Sequence, residues 1–388
     1  MPFSQAGKMR PKIKMAKTII RNNLNYFTSE SVCCGHPDKI CDQISDAILD
    51  EVLRQDRYGK VAVEALVTQN RIIIAGEVTA KAKVDFDKVA RGLIKKLGYT
   101  DEALKFTYKS PIDLLIHHQS PEIAVGVAQR GAGDQGMMFG YACTDTEGLM
   151  PLPITIAHIL TRKIDEVRKQ QILPYLKPDG KSQVTVEYKN GKASDIKSVV
   201  LAIPHGEKVA LSEVKEDVYR LIVEPTLSKF NFKIKKDELI VNGTGVWHFS
   251  GPAADTGVTG RKIVCDTYGG FARVGGGAFS GKDPTKVDRS GAYAARFLAK
   301  NIVAQKLAEK AEVSLAYFIG AKVPVMKEIE TFGTEKTSKK VIRSFMDKIL
   351  DCSVEGILEG LSLRQPIYLP SATYGHFGRS EFPWERLV

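Results

Sequence analysis

Apolar residues recur every three or four positions between Pro37 and Gln55, where Ile40, Ile44, Ala47, Ile48 and Val52 fall on one face. That period predicts a helix. Pro37 suits its first position, because the missing N–H would have no intrahelical partner there. The stretches 61–67 and 72–78 read as paired strands joined by Gln69-Asn70. Both are largely apolar on either face, which predicts a sheet covered on both sides. Glu64 and Glu77 interrupt them. A second helix carries Phe86, Val89, Ala90, Leu93, Ile94 and Leu97 on one side, with Gly98 as its stop. Helical patterns return at 155–169, 214–229, 290–308 and 339–350. The strands 184–188 and 196–203 flank Asn190-Gly191, a strong hairpin signal. Hairpins mixed with helices, without strict strand–helix alternation, predict an α+β fold.

The chain has 388 residues, more than one core ordinarily holds. Two or three domains are expected, with soft boundaries near 123–130 and 242–255. Apolar residues make up 43% and charged residues 26%, as in a globular protein in water. No apolar run reaches the roughly 18 residues that suggest a membrane span. The net charge is +11. Six cations, Lys8, Arg10, Lys12, Lys14, Lys17 and Arg21, precede the first acid, Glu30, and without them the balance is +5. That is ordinary for an enzyme of anionic substrates. The basic arm reads as solvated chain. RNA binding is an alternative; organelle targeting is disfavoured by a single serine and the lack of an arginine-rich amphipathic face. Cys33, Cys34, Cys41, Cys143, Cys265 and Cys352 form no Cys-x-x-Cys pair and follow no signal peptide. Free thiols in a reducing cytoplasm are expected, not zinc or disulfides.

Three segments carry the chemistry. Gly35-His36-Pro37-Asp38-Lys39 sets His36 and Asp38 at a helix N-terminus, where an anion is favoured. Gly131-Ala132-Gly133-Asp134-Gln135-Gly136 and the run from Gly275 to Arg289 are rich in glycine, which lets backbone approach a phosphate. Lys282 and Lys286 lie four apart and Arg261-Lys262 lies upstream, enough charge for a triphosphate. Carboxylates beside phosphates need a cation between them, so Asp38 and Asp288 are candidate Mg²⁺ ligands. Residues 276–282 match G-x-x-x-x-G-K, but Asp283 stands where a P-loop needs Ser or Thr and no clear strand precedes Gly275, so a P-loop is not expected. Blander readings stand beside these. His36 and Asp38 also suit a helix cap with an exposed carboxylate, and the glycine loops suit solvated turns. Glu64 and Glu77 suit edge strands facing water, since a buried carboxylate needs a partner. Cys33-Cys34 beside His36 needs no role.

The segments Phe27-Thr28-Ser29-Glu30-Ser31-Val32, Gly35–Lys39, Asp42-Gln43-Ile44-Ser45-Asp46-Ala47, Gly131–Gly136, Thr259-Gly260-Arg261-Lys262, Gly275–Arg289 and Tyr374-Gly375-His376-Phe377-Gly378-Arg379 follow one another in this order. In these the chain resembles the methionine adenosyltransferases (S-adenosylmethionine synthetases), from about Phe27 to Leu387. The resemblance implies three similar-sized domains in a pseudo-threefold arrangement, here 24–123, 131–245 and 250–388 after an arm of 1–23. It implies attack of methionine sulfur on C5′ of ATP, release of the triphosphate, and its cleavage to pyrophosphate and phosphate. Mg²⁺ and K⁺ are the implied cofactors. ATP and L-methionine are the implied substrates, at an active site between the subunits of a homodimer or homotetramer. A thioether has no proton to lose, so the demand falls on alignment and on the charged leaving group.

Position by position, the resemblance implies that His36 contacts the triphosphate near the breaking C5′–O bond, with Lys181, Arg261, Lys282 and Lys286 as further catalytic residues. Asp38 and Asp288 hold Mg²⁺, and Glu64 holds K⁺. Glu77, Gln119 and Lys286 contact methionine, and Asp134 belongs to the substrate site. Asp179, Gly180 and Lys181 form an ATP-contacting turn, and Asp255 lies beside the adenosine. Arg261, Lys262, Ala278 and Lys282 line the polyphosphate. Three departures stand out. Cys33-Cys34 replaces a polar pair. Val246-Trp247 stands where many bacterial members carry Arg-Phe near the adenine. Segment 124–130 is shorter than the family's mobile lid, from which altered kinetics are expected. Two other classes compete: a nucleic-acid binder using the arm, for which no motif appears in the folded segments, and a kinase-like phosphotransferase using Lys282, which would release ADP.

Overall fold

The computed structural model describes residues 25–118 and 131–388. The basic arm, Gln119 and segment 124–130 lie outside the described residues. Three sheets form the frame, and the fold is α+β. The first has the order β4-β3-β2-β9. Strands β2 (Lys60–Thr68) and β3 (Arg71–Thr79) pair antiparallel through the Gln69-Asn70 turn, where Asn70 takes a φ of 49°. Strand β4 (Ile112–His117) runs parallel to β3, and the two-residue β9 (Gly257–Val258) lies antiparallel on β2. Helices α1 (Pro37–Gln55) and α2 (Phe86–Leu97) lie beside this sheet, α2 stopping at Gly98 with φ 99°. Ile40, Ile44, Ile48 and Val52 of α1 share one core with Val61, Val63, Ala65, Val67, Ile72 and Ile74. Truncating a buried Ile to Ala there costs about 2–5 kcal/mol.

Of the two faces expected to be covered, the chain itself covers one. The alternate positions of β2, β3 and β4, among them Glu64, Leu66, Ile73, Glu77 and Leu115, are half-buried or exposed. The chain supplies helices for only one face.

The second sheet has the order β1-β6-β7-β8: β1 (Tyr26–Val32), β6 (Lys181–Lys189), β7 (Lys192–Ala202) and β8 (Leu239–Val241). Asn190 and Gly191 turn the β6–β7 hairpin at φ 53° and 75°, as type I′ geometry requires. Its inner face joins α3 (Leu152–Lys169) and the stretch predicted as one helix at 214–229 in a second core. That stretch is α4 (Leu211–Val218), a π-helical turn (Tyr219–Val223) and α5 (Glu224–Ser228). The third sheet, β11-β10-β5, joins β5 (Gly136–Cys143), β10 (Lys310–Tyr317) and β11 (Met326–Glu330). After the short α6 (Ile263–Asp266), α7 (Val287–Ala304) packs against β5 and β10. Helices α8 (Lys339–Ile349) and α9 (Val354–Gly360) follow.

Each sheet borrows a strand across the expected segments 24–123, 131–245 and 250–388. Strand β1 joins β6, β5 joins β10, and β9 joins β2. The functional loops sit at these crossings.

Candidate active site

His36 caps α1 with extended backbone, and its Nδ1 accepts the Asp38 N–H at 3.2 Å. A neutral imidazole that accepts at Nδ1 carries its proton on Nε2. Nε2 is buried and has no partner among the described residues. Burial first, then the charges of Lys262 and Lys181, lower the His36 pKa to about 3. The helix N-terminus thus presents a neutral ring with an unused N–H donor, surrounded by cations.

Asp38 is fully buried, so the exposed carboxylate of the blander reading is excluded. Its Oδ1 accepts from Val258 N at 3.0 Å and Arg261 Nε at 2.9 Å, and its Oδ2 accepts from Lys262 Nζ at 2.5 Å. Burial works to raise the carboxyl, but Lys262 and the Val258 N–H outweigh it and hold the pKa low. Gly257 allows this approach, since a Cβ there would lie 2.2 Å from the Pro37 backbone. Asp179 accepts from Gly180 N at 2.7 Å and Gly251 N at 3.1 Å, and burial raises its pKa to about 6. Lys181 acts electrostatically on both His36 and Asp179, and Asp255 acts on Asp179. Val246 is exposed, and Trp247 donates Nε1 to Phe249 O at 2.7 Å. His36, Asp38, Asp179, Gly180, Lys181, Asp255, Arg261 and Lys262 therefore form one cluster around the start of α1.

Lys282, Lys286 and Asp288 form a second. Lys282 Nζ lies 2.5 Å from Asp288 Oδ2, and Lys286 is paired with buried Asp283. Asp283 also accepts the Val61 N–H at 2.8 Å, so the residue that spoils the P-loop pattern ties this loop to β2. The glycines have a different purpose from the one expected. A Cβ at Gly275 would meet Met137 O at 1.8 Å, one at Gly281 would meet Val63 O at 1.9 Å, and one at Gly277 would meet the Asp288 carboxyl carbon at 2.3 Å. These three glycines admit the chain's own backbone and the Asp288 carboxylate. Gly276 alone of the four faces open space. Gly136 approaches Asp288 as well, which brings the exposed Asp134 turn to the same place. Ala278 rests on Gly260, beside Arg261.

Three acids given no role by the reading of α1 join Asp38 in holding these loops. Asp38, Asp42, Asp46 and Asp50 recur at intervals of four and line one face of the helix. Asp42 accepts from Gly260 N at 2.8 Å and pairs with Lys39, itself paired with Asp266. Asp46 accepts from Gly281 N at 2.8 Å and binds Arg289 at 2.7 and 2.8 Å. Asp50 accepts from Tyr368 N and Leu369 N at 2.9 and 2.8 Å. The i, i+4 spacing of acids on an otherwise apolar helix was the signal available.

Asp38 anchors one cluster and Asp46 the loop of the other, at points about 12 Å apart along the helix axis at about 1.5 Å per residue, and the two loops meet where Ala278 rests on Gly260. No cation pairs with both Asp38 and Asp288 among the described residues, and no group of three or more His, Cys, Asp or Glu among them could hold a metal ion. Glu64 and Glu77 do not sit on edge strands, since β2 and β3 are interior. They lie on the uncovered sheet face, where Glu77 Oε1 meets His117 Nε2 at 3.1 Å.

Comparison with known proteins gives the family. Residues 24–121, 129–247 and 249–386 match, in turn, the N-terminal, central and C-terminal domains of S-adenosylmethionine synthetase. The chain is similar to the S-adenosylmethionine synthase of Clostridium tetani, with 48% identity over 93% of this chain and 96% of that one. It is also similar to the S-adenosylmethionine synthase of Treponema denticola, with 45% identity over 95% and 97%. The chain belongs to the S-adenosylmethionine synthetase family.

Proposed function

We propose that S-adenosylmethionine synthesis from L-methionine and ATP runs here on a site assembled from two copies of the chain, each giving one of the two clusters. The unused His36 Nε2–H carries the reading. A buried donor among Lys181, Lys262 and Arg261 suits an oxygen that gains negative charge as C5′–O breaks. Methionine sulfur attacks C5′, the C5′–O electrons pass to the triphosphate, and no proton moves. In the free chain, burial and the neighbouring lysines hold His36 neutral, a donor through Nε2.

The separate ion pairs of the two clusters support assembly from two copies, since no cation is shared between Asp38 and Asp288 among the described residues. So does the uncovered face of the first sheet, where Leu66, Ile73 and Leu115 leave apolar surface beside Glu64 and Glu77. A second copy packed there would cover that face. Lys282, Lys286 and Ala278 would then meet the polyphosphate across the interface, with Asp134 beside the substrate and Asp179, Gly180 and Asp255 beside the adenosine. Glu77, Lys286 and Gln119 would contact methionine.

Asp38 and Asp288 suit Mg²⁺. Both are hard oxygen donors whose side-chain partners are cations, Arg261 and Lys262 for one and Lys282 for the other, and phosphates would draw those cations away. Bound Mg²⁺ supplies charge neutralisation on the triphosphate. Exposed Glu64 would hold K⁺. The six cysteines are all unpaired, in keeping with a reducing cytoplasm. No described helix is long and apolar enough to cross a membrane.

The test is direct. Purified folded protein with ATP, methionine, Mg²⁺ and K⁺ should yield S-adenosylmethionine, pyrophosphate and phosphate. Absence of that product rejects the reading, and release of ADP would replace it with phosphotransfer.

A further inference from the structure

The segment from Tyr374 to Arg379 has no part in the reaction described above. It forms one wall of a separate cleft of about 490 Å³, with α3 opposite and Lys229 and Phe230 at the rim. That volume is within the range of small-molecule sites, roughly 300–1,000 Å³. Met150, Ile159, Phe230 and Phe377 give it apolar walls. None of the residues placed in the two clusters lines it.

Its charge is unbalanced. Arg162 lies over the Tyr374 ring at 5.1 Å, and no carboxylate meets it at ion-pair distance among the described residues. The Arg379 side chain is only 13% exposed and reaches Glu381 at 3.5 Å. It donates once, to Pro370 O at 2.7 Å, and its buried Nε has no acceptor among the described residues. Burial, offset in part by Glu381 and reinforced by Arg162, lowers the Arg379 pKa to about 10. Lys229 adds a third cation. Of the two acids in the lining, Asp145 is engaged by Tyr188 Oη at 2.9 Å, and Glu147 is exposed. Partly dehydrated guanidinium groups without a full set of acceptors are costly until an anion meets them.

We propose that this cleft binds a small organic anion, an aromatic or apolar body whose single carboxylate, phosphate or sulfonate is held by Arg162 and Arg379. The body lies on the apolar wall, and Lys229 closes the rim.

The probe is 8-anilinonaphthalene-1-sulfonate, titrated by fluorescence into the intact protein. One site per chain is expected. Arg162→Glu and Lys229→Glu, both at solvent-accessible positions, should each weaken it about tenfold or more through lost charge-assisted contacts, with turnover to S-adenosylmethionine unchanged. Competition by phenyl phosphate or by benzoate identifies the preferred anion. The proposal is overturned if Arg162→Glu binds the probe within about twofold of wild type, if saturating S-adenosylmethionine displaces the probe, or if neither competitor does.

Discussion

At the scale of single residues, burial decides what each histidine does. His36 and His158 both have pKa values lowered to about 3, with burial the largest cause in each. His36 points an unpaired Nε2 into the candidate site, so His36→Ala should lower kcat by about 10²–10³, the cost of losing one donor to a developing oxyanion. Steady-state kinetics at saturating substrates check this. His158 is bound by Ser31 at 2.8 Å and reports on stability. Its folded pKa lies below its ordinary 6.5, so below that pH the unfolded chain takes up a proton that the folded chain refuses. The penalty is absent above about 6.5 and grows as pH falls toward 3, by up to about 1.4 kcal/mol per pH unit. Urea unfolding of wild type and His158→Gln from pH 6 to 4 should therefore show wild type losing ground to the variant with that slope.

At the scale of elements, α1 is the organising piece. Its apolar face builds the first core, and its four aspartates fasten three loops. The ladder yields a differential prediction. Asp42→Ala leaves Lys39 short of one partner and frees the Gly260 N–H next to Arg261 and Lys262. Breaking a buried pair costs about 3–5 kcal/mol. The variant should melt at lower temperature and bind ATP more weakly by calorimetry. Asp50→Ala frees the 368–369 turn, which reaches the Lys282 loop through Arg289, over the Tyr368 ring at 4.2 Å and still held by Asp46. It should lower the melting temperature and leave ATP affinity intact. Equal losses of affinity in both variants would show that the ladder acts through stability alone.

At the scale of the whole molecule, one chain fastens its two clusters at different turns of α1 and leaves a sheet face bare. A site shared across a two-fold axis makes complementation possible. His36→Ala and Lys282→Ala chains should each keep about 1% of wild-type activity or less alone. Mixed, unfolded and refolded together in equal amounts, they should recover about a quarter of wild-type activity, because half the dimers are mixed and each mixed dimer keeps one intact site. No recovery would place both clusters at one intrachain site. Leu115→Arg on the bare face should shift the protein to monomers by light scattering and remove turnover with them.

Periodicity alone located the Pro37–Gln55 helix, the Gln69-Asn70 and Asn190-Gly191 hairpins and the Gly98 stop, because each is written in local spacing and turn chemistry. His36 at a helix start was equally legible. Sequence alone could not show which carboxylates partner which loops. Asp38 meets Lys262, Asp46 meets Arg289 and Asp283 meets Val61 across more than two hundred positions, and pairing at that separation is set by how sheets exchange strands. The glycines of 275–281 read as phosphate ligands because sequence shows a missing Cβ and not the neighbour that needs the space. The bare face of the first sheet likewise followed from which helices the chain could bring to it. An apolar strand announces that it must be covered; only the tertiary structure shows that its own chain covers one side.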